Sequence, residues 1–440
     1  MSGLSNNEEE FSFIKEKIKE KPLNKKRLAL FGVLCVVMAI IFGALASFTF
    51  VLTRPYFEEQ LTKEQEPDKV SIPKDETASD EAESVMAQTD TQAPDTTQSQ
   101  SPAQTEETPV VTPEFEMELD DIEMLYKKLN VVAREAGKSV VTVTGVTSDV
   151  DWFNDTLENK GQSTGIIVEN NGQELLMLTN LSVVEGAEQL MVTFHDGTTV
   201  EASAGKHDAN TQLSVVSVPL ENIAETTMNE ISMATLGNSY GAHTGEVVIA
   251  LGSPLGYSDS VTYGMLTSTT KTVTTTDANY RILTTDAAGS ESGSGVLINL
   301  EGQVIGIIAP EYCPDGTTNL VTALAISDLK AGIEKLSNHE DVAHLGIKGS
   351  DVTNEIAEKE NIPVGVYVVE TVMDSPAMNS GLQNGDVITK FGDVEVKTVR
   401  DLQNELVKYS PNQVISVVAM RQGMDEYKEI KFVVTLGSTD

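Results

Sequence analysis

The stretch AAGSESGSGVLINLEGQVIGI, Ala287 to Ile307, sets three serines among glycines directly ahead of an apolar run. Such a loop suits a reactive hydroxyl. Glycines let the backbone turn sharply and aim N–H groups at a substrate oxyanion. A serine attacks a carbonyl at neutral pH only with a base beside it. The five histidines are His195, His207, His243, His339 and His344; the first three read as loop or turn positions, and His339 and His344 belong to the hinge and the edge of the second unit. A Ser–Lys pair needs a buried lysine, whereas Lys138 and Lys206 lie among turn residues. No cluster has metal-ligand spacing, and GSESGSG comes with neither a P-loop lysine nor a ribose-binding acid. No metal and no cofactor are therefore expected.

The elements that must position this loop are mostly strands. From about Ser139 to Ile326 the runs SVVTVTG, QSTGIIV, ELLMLTN, QLMVTF, LSVVSV, GEVVIAL and GQVIGII alternate with Gly, Asn and Asp turns, without long helices between them. That pattern predicts a mainly β barrel or sandwich. Ahead of it, Ile122, Leu125, Tyr126 and Leu129 recur with helical period, so a short amphipathic helix should cover part of the β surface. A second unit over residues 342–438 carries four strand patterns and a helix at TVRDLQNELVKY with Leu402, Leu406 and Val407 on one side; Ser337 to Asp341 is the hinge.

The chain of 440 residues has a formal charge of −37, which repels phosphate backbones and excludes nucleic acid as a partner. Cys35 and Cys313 lie in unlike surroundings, so no disulfide is expected. Residues 28–52 carry no charge. At 1.5 Å per residue they reach ~37 Å as a helix, enough to span a bilayer core of ~30 Å. Basic residues from Lys15 to Arg27 precede this run and acidic ones follow it, which predicts residues 1–27 in the cytoplasm and the folded domains outside the cell. Residues 53–117, rich in Glu, Asp, Thr, Gln, Ser and Pro, read as a disordered tether.

Several separated motifs carry a resemblance. LLMLTNLSVVEGA from Leu175, LGNSYGAHTGEVVIALGSPLG from Leu236, VTYGMLT from Val261 and TTDAAGSESGSGVLINLEGQVIGI from Thr284 resemble the membrane-anchored HtrA (Deg) family of trypsin-like serine proteases. HLGI and SPAMNSGLQNGDVI in the second unit look like a PDZ domain. The resemblance implies a chymotrypsin/trypsin-like double β-barrel over residues 118–336, two six-stranded barrels with a catalytic cleft between them, followed by the PDZ domain.

The family's histidine, aspartate and serine positions fall on Ser182, Gln212 and Gly293, and the serine loop is one residue short and lacks its proline. Serine is no general base near pH 7, and glutamine neither fixes a histidine tautomer nor stabilises its charge. A catalytically inactive pseudoprotease is therefore expected. The alternatives are an active endopeptidase using Ser292 or Ser294 with another base, and a structural subunit of a mixed oligomer. In the PDZ unit, His344, Leu345, Gly346 and Ile347 match the carboxylate-binding loop, which implies polypeptides or protein C-termini as partners. The resemblance also implies homo- or hetero-trimers.

Overall fold

The computed structural model describes residues 67–75, 118–150, 156–314, 318–424 and 426–439, with Met38, Ile40, Phe42 and Thr49 as isolated helical residues. The rest of the expected membrane span 28–52, and the segment 1–27, lie outside the described residues. Among those described, no helix is long and apolar enough to cross a membrane.

Helix α1 (Leu119–Gly137) opens on a capping box between Glu118 and Asp121. It leads into β1 (Val140–Val150), β2 (Thr156–Asn170), β3 (Glu174–Asn180), β4 (Gln189–Thr193), β5 (Thr199–Asp208) and β6 (Leu213–Pro219), which close into a barrel in the order β1-β2-β3-β6-β5-β4. After helix α2 (Glu225–Glu230) come β7 (Val247–Ser253), β8 (Ser260–Thr275), β9 (Ala278–Ala288), β10 (Ser294–Ile298), β11 (Val304–Ile308) and β12 (Leu320–Ala325), a second closed barrel ordered β10-β11-β12-β9-β8-β7. Helix α3 (Ile326–Ser337) ends this region. The expected pair of six-stranded barrels is present.

Strand ELLMLTN shows why the barrels pair. Its apolar run is continuous because both faces are buried. Leu175 and Met177 enter the core of the first barrel, while Leu176 and Leu178 join Ile249 and Leu251 of β7 and Val296 and Ile298 of β10 in a shared core that also takes Leu129 and Ala133 of α1 and Leu329 and Ile333 of α3.

Two expectations need correction. Only the second half of α1 covers the barrels: Leu129 and Ala133 are buried, whereas Ile122, Leu125 and Tyr126 are exposed, Tyr126 meeting only the edge of Tyr263. The helix projects past the surface that its C-terminal turns reach. Within the tether 53–117, residues 67–75 form an ordered strap instead. Val70 is 4% exposed and exchanges backbone bonds with the Asn338 side chain, Ile72 N–H donates to Glu334, and Asp75 pairs with buried Lys330 at 2.7 Å and accepts from Ser327 at 2.5 Å. Two apolar side chains and one buried ion pair override the polar composition there.

The PDZ unit comprises β13 (Ala343–His344), β14 (Ile347–Val352), α4 (Asn354–Glu360), β15 (Gly365–Thr371), α5 (Pro376–Ser380), β16 (Val387–Phe391), β17 (Val394–Glu395), α6 (Val399–Leu406), β18 (Val414–Gln422), β19 (Tyr427–Thr435) and β20 (Gly437–Ser438). It has its own core around Phe391, Leu402, Val417 and Val434, with Leu402 and Leu406 of α6 facing inward and Val407 half-buried at the helix end.

Candidate functional site

The two triad slots of the first barrel are neighbours because β3 and β6 are paired, Asn180 opposite Leu213. Leu181 N–H donates to the Gln212 carbonyl at 2.8 Å. Ser182 follows in a 3-10 turn, exposed, its N–H held by Asn180 Oδ1 at 2.9 Å. Gln212 has φ 56°, and its side-chain amide donates to the Ala209 carbonyl at 2.7 Å, so the amide is spent on its own turn.

In the second barrel, the third slot is closed. Gly293 is buried and its N–H donates to the Ser290 carbonyl at 2.9 Å. A Cβ at Gly293 would stand 2.6 Å from the Pro254 carbonyl oxygen and 2.8 Å from that of Ser290, so any side chain requires backbone movement. Ser292 is exposed and shares a hydroxyl contact with Ser290 at 3.2 Å. Ser294 opens β10 and belongs to the seam between the barrels: it accepts from Thr164 N–H at 3.0 Å and bonds Thr164 Oγ1 at 3.2 Å, which bonds Ser253 at 3.1 Å. The cavity beside it, lined by Thr179, Asn180, Thr211 and Ser294, is about 30 Å³, room for roughly one water.

The hydrogen bonds of Ser292 and Ser294 connect them to no histidine, lysine or carboxylate. His243 contacts Glu246 at 3.2 Å and His339 contacts Glu174 at 3.6 Å. His195 is exposed on the β4–β5 turn. His207 corrects the expectation of a loop position, since it lies in strand β5; His344 lies in the short strand β13 at the start of the PDZ unit, and both are partly buried. The buried lysine that sequence patterns missed is Lys330, and it is committed to Asp75. Among the described residues no group could hold a metal ion.

The carboxylate-binding loop forms where β13 turns into β14. Gly346 has φ 91°, and a Cβ there would overlap the Ser375 side chain, so only glycine fits. The N–H groups of Leu345, Gly346 and Ile347 converge within 2.8–3.0 Å on the carboxylate of Asp277, in the β8–β9 turn. His344 Nδ1 stands 2.8 Å from the same carboxylate, a charge contact without hydrogen-bond alignment. Burial opposes a charge on His344, but Asp277 and then Asp208 outweigh it and raise its pKa. Nothing in TTTDANY marked Asp277 beyond its turn position, since its partners lie 68 to 70 residues away.

The PDZ unit is fastened to the second barrel at a second point. Asp328, 4% exposed at its side chain, accepts from the Tyr240 hydroxyl at 2.9 Å, Arg281 N–H at 2.8 Å and the Arg400 guanidinium at 2.8 Å. Arg281 and Arg400 both stack on the Tyr240 ring, 4.4 and 4.2 Å from its centroid. Burial, then the Asp328 charge, push the Tyr240 phenol up to about 12, so it stays a donor. A cavity of about 810 Å³ with both polar and apolar lining lies between these groups, α3 and α6.

Residues 163–307 match the trypsin-like peptidase domain family and residues 343–432 the PDZ domain family. The serine protease Do-like HtrA of Lactococcus lactis subsp. lactis is 31% identical over 312 residues, covering 66% of this chain and 75% of the relative. The serine protease Do-like HtrA of Bacillus subtilis is 28% identical over 304 residues, covering 65% and 66%. Among solved structures, a serine-to-alanine variant of the HtrA-type protease AlgW with a tripeptide aligns with TM-score 0.52 at 26% identity, over 71% of this chain and 97% of that one.

Proposed function

This chain belongs to the HtrA family of serine proteases, and within that family we propose that it is a pseudoprotease that recognises polypeptides through its PDZ domain. The observation that carries the reading is the Gly293 slot: it holds glycine, a side chain there would meet the Pro254 and Ser290 carbonyls, and the Gly293 N–H is bonded to the Ser290 carbonyl. Ser182 and Gln212 in the other two slots agree with it. A protein that keeps the barrels and the carboxylate loop without the triad binds rather than cuts. We propose further that residues 28–52 tether it to the cell membrane with the folded domains outside. There it acts as a scaffold or regulator in envelope protein quality control, alone or in homo- or hetero-trimers.

The test is cleavage of an unfolded model protein by the purified full chain, beside the Ser292→Ala/Ser294→Ala double variant and a serine-directed phosphonate label. Absence of both cleavage and label is the expected result. Cleavage that the double variant abolishes would replace this reading with an active endopeptidase.

A further inference from the structure

The PDZ carboxylate loop already holds a carboxylate. Asp277 Oδ2 accepts from Leu345 N–H at 2.8 Å and from Gly346 N–H at 3.0 Å, and Oδ1 accepts from Gly346 N–H at 2.8 Å and Ile347 N–H at 2.9 Å. In return, Asp277 N–H donates to the Ile347 carbonyl at 2.7 Å. That is the backbone bond with which the last residue of an added strand pairs to the sheet edge. One aspartate therefore presents the two features of a chain terminus, a carboxylate and an adjacent N–H, and the loop satisfies both. Its side chain is 5% exposed.

The local fold supports this placement. Strands β8 and β9 are joined through Thr276 and Asp277 alone, and Asp277 sits at φ 63°, a left-handed conformation that aspartate tolerates better than most residues. Around the turn, β8 packs against β14 and β9 against α6, the two elements that would flank a bound peptide. The Arg400–Asp328 bond and a 2.6 Å bond from Lys335 to the Tyr409 carbonyl hold the two domains together nearby.

We propose that the β8–β9 turn is an internal ligand of the PDZ domain. It closes the groove in the resting chain, and a polypeptide with a free C-terminal carboxylate binds only by displacing Asp277, which loosens the PDZ domain from the second barrel. The peptide half of this statement rests on the reading that the groove takes protein C-termini. All three loop N–H groups are engaged, and a second carboxylate brought beside Asp277 would meet a buried like charge. An internal competitor also acts at the high effective concentration of a tethered group, and the apparent affinity for a peptide falls in proportion to the closed fraction. Removing Asp277 should therefore strengthen peptide binding, a sign opposite to that of damaging a binding site.

The experiment uses the full chain and two variants. Asp277→Asn turns an amide NH2 toward groups that are themselves donors, and Asp277→Gly suits the left-handed turn. Two quantities are read: amide hydrogen exchange at 345–347, and binding of a library of fluorescent decapeptides with free C-terminal carboxylates, with their C-terminal amides as controls. Both variants are expected to exchange at least tenfold faster at 345–347 and to bind free-carboxylate peptides at least tenfold more tightly than the parent, with the amides inert. Faster exchange without any peptide binding keeps the internal ligand and sinks the reading of the groove as a C-terminus site. Exchange unchanged in both variants, or a parent that binds peptides as tightly as they do, overturns the proposal.

Discussion

Rebuilding the three triad slots with Ser182→His, Gln212→Asp and Gly293→Ser is expected to leave the protein without useful proteolysis. The obstacle is the loop rather than residue identity. A Cβ at position 293 would face carbonyl oxygens at 2.6 and 2.8 Å, and both are backbone atoms that cannot swing aside as a side chain can. Overpacking of this kind costs about 1–3 kcal/mol and is relieved by moving the loop, which misplaces the new hydroxyl. The Gly293 N–H is bonded to Ser290 O, so one oxyanion donor is also missing, a loss worth about 10²–10³ in rate. Adding one residue after Ala288 together with Ser290→Pro restores the family's loop length and proline. That loop-lengthened triple variant should exceed the simple triple variant by at least ~10²-fold in the cleavage of fluorescein-labelled casein, with melting curves confirming that both are folded. If the simple triple variant cleaves within tenfold of the lengthened one, the slot is not closed as argued.

Three further outcomes are expected. Asp75→Ala leaves the Lys330 ammonium, 5% exposed, without its partner, a loss of about 3–5 kcal/mol that urea denaturation would read; trypsin should then cut faster at Lys69 and Lys74, and adding Lys330→Met should recover most of the stability. The raised pKa of His344 means that its protonated ring favours the docked PDZ domain. That contribution is complete below the ordinary value of about 6.5 and is lost as pH rises through the raised value. Exchange at 345–347 should accordingly speed up as pH rises above about 6.5, beyond the intrinsic base-catalysed rate, and His344→Asn should abolish the excess. Gly346→Ala combines a left-handed backbone with overlap on Ser375, and should destabilise the PDZ unit by more than about 2 kcal/mol in thermal unfolding while the barrels keep their own transition.

Much of this architecture was legible locally. Strand runs such as ELLMLTN and LSVVSV announced buried β-structure because their apolar residues are contiguous, and glycine and aspartate marked the turns between them. The family motifs located Ser182, Gln212 and Gly293, and residue chemistry alone excluded the first two from their usual roles. What the local pattern could not carry was any fact that depends on a distant partner. Ile122, Leu125, Tyr126 and Leu129 read as one amphipathic helix face, yet how far the barrel surface extends beneath it is set by the packing of other strands. Composition placed Val70 to Asp75 in a solvated tether, but Lys330, 255 residues on, supplies the buried charge that pins it. Gly293 is closed by Pro254, and Asp277 fills a loop built from Leu345 to Ile347. Periodicity and turn chemistry act over a few residues and so are written in the sequence; steric closure and charge pairing act over a few ångströms, and only the folded chain decides which residues come that near.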